Sequence, residues 1–282
     1  MPRNYPAKVL VFGEHTVLRG GQGLAVPYPS RSLRWVKDRP DERLLKCCDY
    51  LKVVVPKKLL DSGSLEDWLL EDWRLAGDIP TGYGLGSSGA VCAAIWDKFA
   101  TPAGQALQGE VLRNTLARME QYFHGQSSGT DPLISYLNAP VLLGGGKSPQ
   151  VITLPTKWNE GFFLVDTGKE RQASHLIQQF TARYDTDPGF ASTVDTGWTA
   201  SANAAIKALL AGNRLQLHRC VAEVSAFQVS ELPGFIPPGF HQYFGQAGFS
   251  LKLCGAGGGG MMLGLTDNKL AVREIFQRVY WL

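Results

Sequence analysis

Apolar positions recur along this chain with two different periods. Residues 7–12, Ala-Lys-Val-Leu-Val-Phe, form a short strand-like run that ends at Gly13. Residues 24–36 alternate apolar and polar less cleanly, and 51–55, closed by Pro56, reads as another strand. Helical spacing takes over after Pro80. Residues 87–100 place Val91, Ala94, Ile95 and Phe99 on one face, and 108–123 repeat the pattern with Val111, Leu112, Leu116, Met119 and Phe123. Asp131 before Pro132 predicts a helix start, because proline at the first helical position loses no needed donor. Strands are then predicted at 141–143, 151–154 and 162–165, and helices near 172–183, 199–211 and 214–230. The chain finishes with predicted strands at 250–253 and 261–265 and a helix at 268–279. Helices and strands alternate without a strict βαβ rhythm, so the expected class is α+β with two lobes and a boundary near residue 160.

Composition narrows this picture. With 282 residues, 44% of them hydrophobic, the chain can bury a full core in one large or two ordinary domains. A net charge of +3 without a long basic block argues against a nucleic-acid partner. The opening Met1-Pro2-Arg3-Asn4-Tyr5-Pro6 leads into an apolar run too short for a signal peptide, and no stretch reaches the ~18 apolar residues of a membrane span. The expectation is a cytoplasmic protein without a membrane partner. The five cysteines show neither C-x-x-C spacing nor paired histidines, so they read as reduced thiols, several of them small core residues.

Glycine is the unusual component, at 32 residues. Half of it falls in four short clusters, at 13–23, 82–89, 144–146 and 255–260, where it acts as a local backbone device rather than as a linker. The cluster Pro80-Thr81-Gly82-Tyr83-Gly84-Leu85-Gly86-Ser87-Ser88-Gly89 runs straight into a predicted helix. Glycines there let the backbone approach a ligand, and a helix N-terminus favours an anion, so the string reads as a phosphate cradle. It lacks the lysine of the G-x-x-x-x-G-K-[ST] loop and the acidic residue of a dinucleotide site. A plain turn capped by Ser87 is the simpler alternative.

A second string, Glu120-Gln-Tyr-Phe-His124-Gly125-Gln-Ser127-Ser128-Gly129-Thr-Asp131, puts one carboxylate at a helix end and another at the next helix start. One could hold Mg²⁺ while the other takes a proton from a hydroxyl, the division of labour that phosphoryl transfer requires. A solvated Glu120 and an Asp131 that merely caps its helix are the ordinary readings of each residue alone. Lys8-Val-Leu-Val-Phe-Gly13-Glu14-His15 and the glycines at 255–260, between two predicted strands, complete the set. The run at 144–146 has no assignment beyond a turn, and 37–75 carries no recognisable motif.

In this order the strings resemble the three motifs of the GHMP kinase superfamily, ATP-dependent kinases of small molecules, over residues 8–260. Within it the mevalonate kinase family is most similar. Residues 8–20 look like its K-[VI]-[IL]-L-F-G-E-H-A-V-V-x-G, and 120–131 look like E-x-x-x-H-G-x-P-S-G-x-D with identical spacing. Three departures stand out: Gly89 replaces the usual alanine, Asp78 replaces a serine before the loop, and Ser127 replaces the loop proline.

The resemblance implies a two-lobed GHMP kinase fold, with a mixed α/β lobe over 1–160 and a ferredoxin-like α/β lobe over 161–282. It implies ATP and Mg²⁺ as cofactors and phosphorylation of the primary hydroxyl of mevalonate, in isoprenoid precursor synthesis. Asp131 would be the catalytic base and Lys8 its partner. Ser88 and Glu120 would hold the metal, Gly82, Gly84, Leu85, Gly86, Ser87, Ser88 and Gly89 would wrap the phosphates, and Glu14 and His15 would form the substrate pocket. The resemblance also implies a homodimer. Two alternatives stay open: a kinase for phosphomevalonate or a sugar, the former needing extra cations such as Arg19, Arg31 or Arg34, and a non-catalytic metabolite sensor that would have lost one of these groups.

Overall fold

The computed structural model describes residues 3–171 and 173–282. Met1, Pro2 and Gln172, where one helix was expected to begin, lie outside the described residues. The chain forms two compact units that are interleaved in sequence. One comprises Met1–Lys8, Val26–Thr81 and Leu85–Ala139, and the other Val9–Ala25, Gly82–Gly84 and Pro140–Leu282. The α+β class expected from the patterning is the one observed, with antiparallel sheets and many helices.

The strands β1 (Tyr5–Phe12) and β2 (Gln22–Lys37) run through both units. In the first unit, Leu33 to Lys37 of β2 pair antiparallel with β3 (Trp73–Gly77). Between them lie α1 (Glu42–Val54) and α2 (Ser62–Leu70), started by Asp41 and Asp61, whose carboxylates accept from Leu44 N and Ser64 N at 3.0 Å. The strand expected at 51–55 is instead the end of α1. Leu44, Cys47, Cys48 and Leu51 are buried at helical spacing while Val53 is exposed, so the amphipathic period and the Asp41 cap outweigh the local β-branched run. The segment 37–75, opaque as sequence, is therefore two capped helices and one strand.

After the glycine loop come α3 (Ser87–Phe99), a short α4 (Pro102–Gln105), α5 (Gly109–His124) and α6 (Thr130–Leu137). Helix α3 is buried along most of its length and packs on α6 and α5. Helix α6 begins two residues earlier than the Asp131-Pro132 pair predicts, at Thr130 instead of Pro132. Gly129 is its N-cap at φ 71°, and a Cβ there would sit 2.1 Å from Arg113 O, so the sharp entry requires glycine.

In the second unit, Gln22 to Ala25 of β2 pair with β4 (Val141–Gly144), which pairs with the two-residue β5 (Gln150–Val151). Gly144 to Gly146, all at positive φ, form the turn after β4. A four-stranded antiparallel sheet in the order β7 (Phe249–Leu253), β8 (Met261–Thr266), β6 (Phe162–Asp166), β9 (Val279–Trp281) carries the rest. The helices of this unit are α7 (Ala173–Thr186), α8 (Pro188–Thr193), a π-helical stretch Val194–Thr199, α9 (Ala200–Leu210), α10 (Arg214–Glu231) and α11 (Lys269–Ile275). Its core joins Phe163, Phe180, Trp198, Val224, Leu251 and Met262. The helix expected over 268–279 stops at Ile275, and β9 follows because 279–281 complete the sheet edge against β6. Among the described residues, no helix is long and apolar enough to cross a membrane.

Candidate active site

In the first unit the sequence-predicted residues converge at the start of α3. Strand β1 delivers Lys8, and its backbone N–H donates to Leu85 O at 2.9 Å, which ties the strand to the glycine loop. The buried Lys8 Nζ lies 3.0 Å from Asp131 Oδ1. Asp131 therefore does not serve as the helix cap: that position is Gly129, and the carboxylate of the first turn of α6 faces the ammonium instead. Gly86, the N-cap of α3, sits against this pair, since a Cβ on it would be 3.0 Å from Lys8 Cγ and 3.3 Å from Asp131 Oδ2. The first N–H groups of α3 have no partner within the helix, and they carry the positive end of its dipole.

Glu120 is not solvated. It is 5% exposed near the end of α5, where Oε1 accepts from Ser88 Oγ at 2.8 Å and Oε2 accepts from Ser127 Oγ at 2.5 Å. Burial, reinforced by the charge of Asp131, pushes its pKa up to about 7, while the two hydroxyls and Lys8 pull the other way. Ser127, which stands where the resembling family has proline, also accepts from Gly129 N at 2.9 Å, so the substitution adds an oriented donor for Glu120. Ser88 Oγ gives its proton to Glu120, so His124 Nε2, 2.9 Å away, carries the hydrogen that Ser88 Oγ accepts. Neither Ser127 nor His124 had a role in the sequence reading.

In the second unit, Glu14 and His15 are both buried. Glu14 Oε1 is ion-paired with Lys252 of β7, which is itself fully buried. His15 Nε2 donates to Ala256 O at 3.0 Å, and its ring packs 4.8 Å from Phe180 and 5.3 Å from Phe235. Burial holds the imidazole pKa down at about 4, against the pull of the Ala256 bond, so it is neutral at physiological pH. Gly82 and Gly84 belong to this unit, with Gly82 O accepting from Arg171 N at 3.1 Å. Lys252 escaped the sequence reading, although a lone lysine between leucines in Phe-Ser-Leu-Lys-Leu is a signal for a paired buried charge.

Comparison with known proteins matches residues 56–139 to the model of the GHMP kinases N terminal domain. A phosphomevalonate kinase of Streptococcus pneumoniae, in complex with phosphomevalonate and AMPPNP, superposes with a TM-score of 0.67 at 16% identity, covering 100% of both chains. The L. major mevalonate kinase in complex with R-mevalonate superposes with a TM-score of 0.65 at 17% identity, over 97% of this chain and 89% of that one. This is the GHMP kinase fold. A mevalonate kinase of Archaeoglobus fulgidus is 24% identical over 270 residues, 92% of this chain and 90% of its own length. The match to the GHMP kinase model takes in the glycine loop, Ser88, Glu120 and Asp131, while Lys8, Glu14 and His15 precede it.

Proposed function

We propose that this chain is an ATP-dependent kinase that phosphorylates the primary hydroxyl of mevalonate. The observation that carries the reading is the Lys8 and Asp131 pair, 3.0 Å apart beside the N-terminus of α3. Asp131 accepts the proton of the substrate hydroxyl, and Lys8, 3.0 Å from it, offsets the charge that develops on the attacking oxygen. The residues 85–89 and the first N–H groups of α3 orient the phosphates, which is most of what a loose phosphoryl-transfer transition state asks of a protein. The residues also fit a divalent cation. Glu120 is a buried carboxylate destabilised in its charged form, with Ser88 Oγ beside it, and a cation there would offset that deficit. Ser88 and Glu120 would hold Mg²⁺, which when bound neutralises phosphate charge.

The choice of mevalonate rests on the A. fulgidus relative and on the cations available for a second phosphate. Of the three arginines considered for phosphomevalonate, Arg19 is bonded to Asp185 and Arg31 to Asp78, leaving Arg34 exposed on β2. A sensor without catalysis would have lost part of the set, yet Lys8, Ser88, Glu120 and Asp131 are all in place. The test is a coupled ADP-release assay with mevalonate, phosphomevalonate, galactose and homoserine, run on the wild type and Asp131→Asn. Turnover with mevalonate and a loss of at least about 10²-fold in kcat for D131N are expected. Turnover of another substrate with mevalonate inert, or full activity in D131N, overturns the reading.

A further inference from the structure

We infer that Lys252 is a positioning residue. With Glu14 and His15 it fixes the glycine segment 255–260, and through it the start of the phosphate loop. The inference rests on the proposed role of residues 85–89 in phosphate binding, into which 82–84 lead along the chain.

A chain of bonds inside the second unit carries it. Lys252 is fully buried in β7, and its Nζ bonds both Glu14 Oε1 and Leu253 O, the latter at 2.8 Å. One residue further, Leu253 N donates to Gln228 Oε1 at 2.8 Å. His15 then secures Ala256 through its carbonyl at 3.0 Å. The turn that carries Glu14 and His15 thus grips the strand end and the first half of the glycine segment at two points. The far end of that segment is tied to the phosphate loop. Met261 N donates to Tyr83 O at 3.3 Å, and a Cβ on Gly260 would lie 2.6 Å from the same oxygen. Gly258 N and Gly260 N donate to Phe235 O and Lys169 O, each at 2.7 Å, which fixes the path between the two ends.

The chemistry of the pair favours positioning over stability. Buried ion pairs contribute little net stability compared with neutral partners of similar volume, because desolvation offsets their attraction, whereas removing one partner leaves a costly charge. An ammonium that bridges a carboxylate and its neighbour's carbonyl does fix geometry. His15, neutral and packed among aromatic rings, adds a donor of fixed direction.

The test compares the full-length wild type with Lys252→Met, the double variant E14Q/K252M, and His15→Phe, which keeps the ring and loses the donor. Melting temperature, hydrogen–deuterium exchange over 82–84 and 254–261, and ATP affinity by calorimetry are measured. The double variant is expected to recover much of the melting temperature lost in K252M. Its exchange at both segments stays faster than in the wild type, and ATP binds about tenfold more weakly, as for the loss of one well-placed charged hydrogen bond. H15F is expected to speed exchange over 254–261 as well, and it carries the test if K252M does not fold. Wild-type exchange and ATP affinity in both E14Q/K252M and H15F would overturn the inference. Neither readout involves the second substrate, so a protein that binds ATP but leaves mevalonate untouched refutes the proposed reaction and not this inference.

Discussion

Gly89→Ala is the most telling single substitution in the first unit, because helix propensity and packing predict opposite signs. Gly89 is the third residue of α3, where the resembling family carries alanine. By propensity alone, alanine would stabilise the helix by ~1 kcal/mol. A Cβ at 89, however, would lie 2.7 Å from both Asp131 C and Pro132 N and 2.8 Å from Asp131 Cβ. Carbon contacts settle at ~3.5–4.0 Å, so α6 must retreat by roughly 0.8–1.3 Å. The obstacle is backbone and cannot swing aside. Overpacking of this kind costs ~1–3 kcal/mol, which leaves a net destabilisation of up to ~2 kcal/mol. The atoms forced to move belong to the residue paired with Lys8 at 3.0 Å, so the shift breaks that contact. A displacement of ~1 Å at a reacting group can cost ~10²-fold in rate. The assay is kcat at saturating ATP and substrate, with the melting temperature measured on the same preparation. A G89A protein that melts higher than the wild type and keeps its kcat would refute the claim that the glycine sets the distance between α3 and Asp131.

Two pH predictions follow from buried groups. Glu120, pushed up to about 7 mainly by burial, is about half protonated at neutral pH, and a cation must compete with that proton. Mn²⁺ affinity is therefore expected to rise between about pH 6 and pH 8 in the wild type and to lose that slope in Glu120→Gln; a flat wild-type profile in calorimetry would sink the assignment. His15 titrates in the folded state near 4 against 6.5 when unfolded, so the unfolded chain takes up the proton first as pH falls. The stability it contributes is present above about pH 6.5 and declines from there to about pH 4, a loss of ~3 kcal/mol by linkage. Urea unfolding of the wild type and H15F across that window gives the difference; parallel losses in the two proteins would mean that His15 is not the group responsible.

Much of the candidate site was legible because local sequence and local structure coincide there. The glycine loop runs into α3 as its ten-residue string implies, and α5 ends at His124 where its apolar period stops. The segments that misled did so because a wider context overrode a short local run. The β-branched run at 51–55 follows the helical burial period of Leu44, Cys47, Cys48 and Leu51, and the tail at 279–281 takes its strand form from pairing with β6. In the first the longer amphipathic period and the Asp41 cap outweigh the local preference, and in the second a partner strand does.

By itself the sequence determined the class of fold, the loop before α3, and the presence of a lysine, two carboxylates and a serine at spacings suited to phosphoryl transfer. These depend on residue type and short spacing, which the chain displays directly. Only tertiary structure decided what each group meets. Asp131 faces Lys8 because Gly129 caps the helix in its place. Glu120 is strained as an anion because α5 turns it inward onto Ser88 and Ser127, and Glu14 with His15 ends up gripping the strand and glycines more than two hundred positions away. Burial and the approach of distant backbone set the charge state and the partners of these side chains, and neither quantity is encoded in spacing.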